Sequence, residues 1–253
     1  MRILTAFHDF CVKNNLKYSL FYGTLLGAIR HDGYIPWDDD VDVAMPREDY
    51  EKFINTFGDD DFGVKSCYND IHYCLPYAKA YSKNTKKVET NEADEALEIG
   101  FNIDIFPLDY IDTKERFYEL DKKEISLRKK LMFSEFKPNT SSLKMLFKSI
   151  ILLPFRGKSN EYARKMDKWF INRLKIGQER NYLVGNETNN YDSNLIFPLG
   201  IFDDITIHKF EGRDYFITSL YHEVLTQCYG DYMQLPPESE RTTHHGFKAY
   251  YLD

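Results

Sequence analysis

Cysteine is scarce in this chain. Four residues (Cys11, Cys67, Cys74 and Cys228) are scattered over 253 positions, with no C-x-x-C among them. That suggests neither a disulfide framework nor a zinc site, and it makes a reducing cytoplasm the expected home. No apolar run approaches the roughly 18 residues that a membrane-spanning helix needs, and the first residues lack the basic and apolar regions of a secretory signal. A basic excess is missing too. The net charge of −7 argues against a dedicated nucleic-acid binder, which would present a basic face. Neither internal repeats nor a low-complexity linker interrupts the sequence. A soluble intracellular protein is the expectation. With 43% apolar residues, the chain can build one large core, or a core with a substantial insertion. The aromatic share of 16%, from 19 Tyr and 19 Phe, suits strands and sites that stack rings.

The most informative stretch runs from Leu20 to Val43, LFYGTLLGAIRHDGYIPWDDDVDV. Tyr18 to Tyr22 reads as a strand that breaks at Gly23-Thr24. A short apolar helical turn (Leu25, Leu26, Ala28, Ile29) and a Gly33/Pro36 loop follow, then four carboxylates: Asp38, Asp39, Asp40 and Asp42. A solvated acidic loop is the plain reading of such a run. The alternation Asp40-Val41-Asp42-Val43 favours another, because period 2 puts both acids on one strand face with the valines packed behind. Paired carboxylates on a rigid strand suit Mg²⁺, a hard ion that prefers oxygen ligands and often shares them with substrate phosphates. Upstream, glycine followed by a small hydroxyl residue lets the backbone of Gly23 and Thr24 approach a phosphate, with the next helical turn's N–H groups aimed at the anion. Arg30 and His31 lie between the two features. Either could meet phosphate, and Arg30 could equally bridge to the acids.

A second stretch, Gly100 to Asp109, alternates in the same way. Phe101, Ile103 and Ile105 share one face, while Asn102 and Asp104 share the other. An aspartate between isoleucines is poorly explained as surface, so Asp104 is expected to face Asp40 and Asp42 from a neighbouring strand. It could also take a proton from an attacking hydroxyl. Asp109 reads as a cap of the following turn. Elsewhere, helices are expected over residues 2–15, from Pro46 to Gly58, over 160–175 and over 217–229. Two short strands fall within 62–84, and Lys79 on the second could reach a phosphate. A strand pair is expected over 205–216, turning at Glu211-Gly212. Between Lys122 and Lys158, ten basic residues meet two acids around the apolar run Ile150 to Leu153. That segment is either an ordinary helical insertion or a helix that lies on an anionic membrane surface. Near the end, Arg241, His244 and His245 look like phosphate or substrate contacts.

Together GTLLGAIRHDGYIPWDDDVD, PREDYEKF, NIDIFPLD and YGDYMQLPP, with Arg241 and the paired histidines, closely resemble the LicD family. That family includes bacterial phosphorylcholine transferases and is related to fukutin and fukutin-related protein. The motifs stand in family order from about residue 14 to 245. The resemblance implies an α+β, nucleotidyltransferase-like fold: a mixed β-sheet flanked by helices, one domain over residues 1–253 with a basic helical insertion at about 115–175. It implies a phosphate turn at Gly23 and Thr24, paired metal ligands at Asp40 and Asp42, and a third acid at Asp104. The implied cofactor is Mg²⁺, with Mn²⁺ as the alternative. The implied donor is a CDP-activated alcohol such as CDP-choline, whose phospho-alcohol group moves to a glycan hydroxyl as CMP leaves. Lipid-linked precursors of teichoic acid, lipopolysaccharide or capsule would be acceptors, reached at the inner face of the cell membrane. Lys79, Arg241 and His244 would screen the leaving CMP. Two departures stand out: Tyr22 occupies a place where many relatives have a second glycine, and Tyr81 one where an arginine is frequent. Nucleotidyl transfer to a sugar phosphate or other small acceptor, and a non-catalytic membrane-associated binding module, remain alternatives.

Overall fold

The computed structural model describes residues 1–89, 99–115, 122–134, 143–174, 180–185, 196–243 and 247–252. Its architecture is α+β. Helix α1 (Arg2–Lys13) leads into a short strand β1 (Ser19–Leu20), helix α2 (Tyr22–His31), strand β2 (Asp42–Pro46) and helix α3 (Arg47–Thr56). Strands β3 (Phe62–Lys65), β4 (Ala78–Ser82), β5 (Thr85–Glu89) and β6 (Asn102–Ile111) follow. Three helices, α4 (Lys122–Ser134), α5 (Leu143–Leu152) and α6 (Ser159–Leu174), precede β7 (Tyr182–Gly185) and β8 (Ile196–Pro198). A hairpin of β9 (Ile205–Phe210) and β10 (Arg213–Thr218), helix α7 (Tyr221–Tyr229) and strand β11 (Phe247–Tyr251) complete the chain.

The main sheet runs β1-β2-β6-β4-β3, with β7 and β8 continuing beside the far half of β6. Ten residues long, β6 is its backbone. It pairs in parallel with β2 and antiparallel with β4 and β7. Residues 103–109 of β6 are buried without interruption. A central strand covered on both faces has this near-continuous apolar character. Because β6 and β7 are hydrogen-bonded neighbours, α4 to α6 leave the sheet and return to it as an excursion.

Amphipathic patterning places the helices. In α1, Ile3, Leu4, Phe7 and Cys11 are buried at helical spacing. Phe7 meets Tyr18 and Phe53 edge to face at 4.9 and 5.1 Å. Tyr50, Phe53 and Ile54 anchor α3, whose first turn carries Glu48 and Asp49 where the helix dipole favours acids. The β9–β10 hairpin docks through side chains of the first strand region: Ser19 Oγ accepts from Thr218 N at 2.9 Å, and the Tyr18 hydroxyl from Phe216 N at 3.2 Å. His8 is a packing residue, its Nδ1 2.6 Å from the Tyr18 hydroxyl.

Some local readings of the sequence need correction. The first strand stops at Leu20, and Gly23 and Thr24 lie in the opening turn of α2 instead of a separate turn. Tyr22 takes the left-handed backbone conformation, φ 44°, that glycine adopts most readily. This explains why a glycine suits the position. Here the ring packs edge to face on Phe21 and Phe106, at 4.9 and 5.3 Å, contacts that a glycine could not make. Asp109 does not cap a turn. It accepts two hydrogen bonds from Arg47, at 2.9 and 2.6 Å, and Arg47 also reaches Asp167 at 3.2 Å. Tyr68 donates to the other Asp167 oxygen, so four buried or half-buried polar groups knit β6, α3, α6 and the loop after β3 together.

Candidate active site

Strand register builds the centre of the site. On parallel neighbours β2 and β6, Asp42 stands opposite Asp104, and on antiparallel β4, Lys79 stands opposite Asp104. The row Asp42–Asp104–Lys79 therefore crosses three strands on one face. Lys79 Nζ donates to both Asp104 oxygens, at 2.6 and 2.8 Å, and Asn102 Nδ2 adds a third bond at 2.9 Å. The sequence offered Lys79 as a phosphate contact; the structure joins it to the third acid.

Asp40 is not part of the regular strand, which begins at Asp42. Even so, the carbonyl of Val41 accepts from Asp104 N at 2.8 Å, so this segment already lies along β6. Asp38 joins the group through a turn, its N–H donating to Ile35 O at 2.9 Å. Asp40 lies beside it within hydrogen-bonding reach. Burial and the neighbouring Asp40 push Asp38 up to about 7. Burial, then Asp40, Asp104 and Asp38, raise Asp42 well above the carboxylate range, with Lys79 acting in the opposite direction.

The opening turn of α2 fits against this cluster. A Cβ on Gly23 would lie 2.3 Å from Asp38 Oδ2, so a side chain there would displace the carboxylate. Thr24 Oγ1 accepts from Asp42 N at 2.8 Å and so ties the helix to the first residue of β2. Leu25 N is the first α2 donor bonded back along the chain, to Phe21 O. The donors ahead of it lie where helix N-termini receive anions.

Arg30, at the far end of α2, donates through one terminal nitrogen to the carbonyls of Tyr232 and Gln234, at 2.7 and 3.4 Å. It does not bridge to the acids. Arg241 stacks over Trp37, 5.4 Å from the ring centroid, and its Nε donates to Pro236 O at 2.9 Å. His244, His245 and the loop expected from Asn186 to Asn194 lie outside the described residues. Beside the acids opens a cavity of about 580 Å³, lined by Gly23, Arg30, Trp37, Asp38, Tyr229, Asp231, Tyr232 and Glu240 among others.

Carboxylate oxygens alone are the donor set that Mg²⁺ or Mn²⁺ prefers. Among the described residues no three His, Cys, Asp or Glu side chains already converge into a metal cage. Even so, the repulsion that raises Asp38 and Asp42 is what a divalent cation would relieve, and Mg²⁺ commonly completes its shell with substrate phosphate and water.

Carboxylates on neighbouring strands of a mixed sheet, beside a helix N-terminus, are an arrangement suited to metal-assisted phosphate chemistry. Residues 15–140 match the family described as LicD/FKTN/FKRP, nucleotidyltransferase domain. The chain is 32% identical over 265 residues to the lipopolysaccharide cholinephosphotransferase LicD of Haemophilus influenzae (strain ATCC 51907 / DSM 11121 / KW20 / Rd), a match spanning 100% of this chain and 95% of that protein. An uncharacterized protein of Rickettsia prowazekii is 55% identical over 75 residues, covering 30% of this chain and 25% of its own length. The chain belongs to the LicD family and is an enzyme of the phosphotransferase class.

Proposed function

We propose that this enzyme moves phosphocholine from CDP-choline to a hydroxyl of a cell-surface glycan precursor and releases CMP. The observation that carries the reading is the Asp42–Asp104–Lys79 row beside the α2 N-terminus, in a chain similar end to end to a lipopolysaccharide cholinephosphotransferase. Lipopolysaccharide is the acceptor that this likeness favours, ahead of teichoic acid or capsule.

In the reaction the acceptor oxygen attacks the phosphorus that bears choline, and the bridging P–O bond breaks toward CMP. Asp40, Asp42 and Asp104 would hold Mg²⁺, which when bound neutralises diphosphate charge and polarises the phosphorus. The Gly23 and Thr24 amides orient the phosphate oxygens. Asp104 is the proton acceptor in this reading, and Lys79 must yield one of its two hydrogen bonds for an oxygen to take the proton. Arg30 and Arg241 hold the wall formed by residues 232–236.

The helical excursion supports work at a membrane. Leu146, Phe147, Ile150, Ile151 and Leu153 are each more than half exposed. Exposed Lys144, Lys148, Arg156 and Lys158 surround them. No helix among the described residues is long and apolar enough to cross a membrane, so contact would be peripheral, at the cytoplasmic face where an anionic lipid surface attracts such a segment. Cosedimentation with anionic vesicles, compared with neutral ones, tests it.

CMP release from a panel of CDP-alcohols, with and without Mg²⁺ and with Asp40→Ala as control, tests the reaction. Release from CDP-choline that requires both metal and Asp40 supports it. Pyrophosphate release from a nucleoside triphosphate instead would move the enzyme to nucleotidyl transfer.

A further inference from the structure

We infer that the cavity walled by Trp37, Tyr229 and Tyr232 seats a quaternary ammonium group, which makes it the specificity pocket for the alcohol end of the donor. The inference rests on the phosphocholine-transfer reading above and adds where choline is recognised and by which residues.

A trimethylammonium group cannot donate a hydrogen bond. A protein recognises it through aromatic faces and carboxylates that compensate its charge without close pairing. The cavity offers both. Trp37, Tyr229 and Tyr232 line it together with Asp38, Asp231 and Glu240. Among the described residues, the Asp231 and Glu240 side chains have no hydrogen-bond or ion-pair partner. Tyr232 is fixed in place, its hydroxyl 3.0 Å from His222 Nδ1 and its ring edge to face with that imidazole at 5.7 Å. Trp37 already attracts a cation, the Arg241 guanidinium over its face.

The charges of the walls select the end of the donor that enters. Three acids line the cavity, while Arg30 has its guanidinium engaged by the Tyr232 and Gln234 carbonyls and Arg241, over Trp37, donates to the Pro236 carbonyl. A phosphate or CMP would be repelled by this set, whereas an ammonium would be drawn in. Position agrees with charge: Gly23 and Asp38 belong both to the cavity wall and to the edge of the carboxylate cluster. A donor with its phosphorus at the α2 N-terminus can therefore extend its alcohol arm toward Tyr232 and Glu240. At about 580 Å³ the cavity has room for that arm as well as for the headgroup.

The test compares the parent with the double variant Asp231→Asn/Glu240→Gln and with Tyr232→Leu, each confirmed as folded by circular dichroism. The ratio of kcat/KM for CDP-choline over CDP-glycerol is expected to fall about tenfold in both variants. Choline chloride titrated calorimetrically into the parent is expected to bind, and to bind at least about tenfold more weakly in the double variant. An unchanged ratio in folded variants, or choline binding that all three proteins share equally, would overturn the pocket assignment. So would binding of CMP, in place of choline, that depends on Asp231 and Glu240. If the parent releases no CMP from CDP-choline, the donor reading fails, and calorimetry alone decides the pocket: binding lost in the variants supports it, and no binding to the parent rejects it.

Discussion

Lys79 and Asp104 face each other across β4 and β6, with the ammonium donating to both carboxylate oxygens at 2.6 and 2.8 Å. Lys79 sets a positive charge against a cluster of four acids, Asp38, Asp40, Asp42 and Asp104, and both groups of the pair are mostly shielded from solvent. Lys79→Met keeps much of the aliphatic stem and removes the charge. It should lower kcat by about 10- to 100-fold, because Asp104 loses its orientation and the repulsion at Asp42 grows. Steady-state CMP release measures it. A higher KM with kcat unchanged would instead make Lys79 a phosphate-binding residue.

Thr24 is buried, and its hydroxyl accepts the N–H of Asp42 at 2.8 Å. Thr24→Val preserves shape but leaves that N–H without its acceptor, at a cost of about 1–3 kcal/mol. Thr24→Ser keeps the acceptor and should lose less. Urea denaturation of the two variants gives the comparison. Equal losses would show that the methyl group matters, and not the hydrogen bond.

Asp38 and Asp42 make stability depend on pH in an unusual direction. Their folded pKa values are raised, Asp38 from 3.8 to about 7. Between those limits the folded chain binds more protons than the unfolded one, so stability falls as pH rises from about 4 to about 7. Thermal unfolding in EDTA should show this decline, and Asp38→Asn should flatten it. Millimolar Mg²⁺ should restore stability more at pH 8 than at pH 5, since it binds the ionised carboxylates. A midpoint that climbs with pH in EDTA would contradict the repulsion described here.

The parts of the site that the sequence revealed were those encoded by local periodicity. Asp42 and Asp104 stood out because acids alternate with Val or Ile at period 2, and both occupy the strands that this pattern requires. The β9–β10 hairpin was legible from its Glu211-Gly212 turn for the same reason. What lay hidden depends on register and long-range packing. Lys79 meets Asp104 only because β4 pairs with β6 in one register, which nothing in either strand states alone. Asp38 sits outside the alternation and enters through a turn and the missing side chain of Gly23. The cavity wall comes from residues 229–240, distant in sequence from Trp37, and its aromatics carried no local signal of a shared site.

Arg47 and Asp109 make the same point for stability, since both lie in motifs that invite a functional reading. Arg47 is almost fully buried and contacts two carboxylates, Asp109 at 2.6 and 2.9 Å and Asp167 at 3.2 Å. Removing one partner of a buried ion pair leaves the other charge uncompensated and costs about 3–5 kcal/mol. Arg47→Met should therefore lower the unfolding free energy by that amount, because it strands two acids. Asp109→Asn should cost less, since the amide oxygen still accepts from the guanidinium while Asp167 keeps its contact. Neither substitution reaches the Asp42–Asp104–Lys79 row directly, so KM for the donor should hold steady in protein assayed well below its unfolding temperature. Chemical denaturation paired with donor KM separates the two roles of Arg47. A structural arginine moves the first and leaves the second, whereas a phosphate ligand would do the reverse.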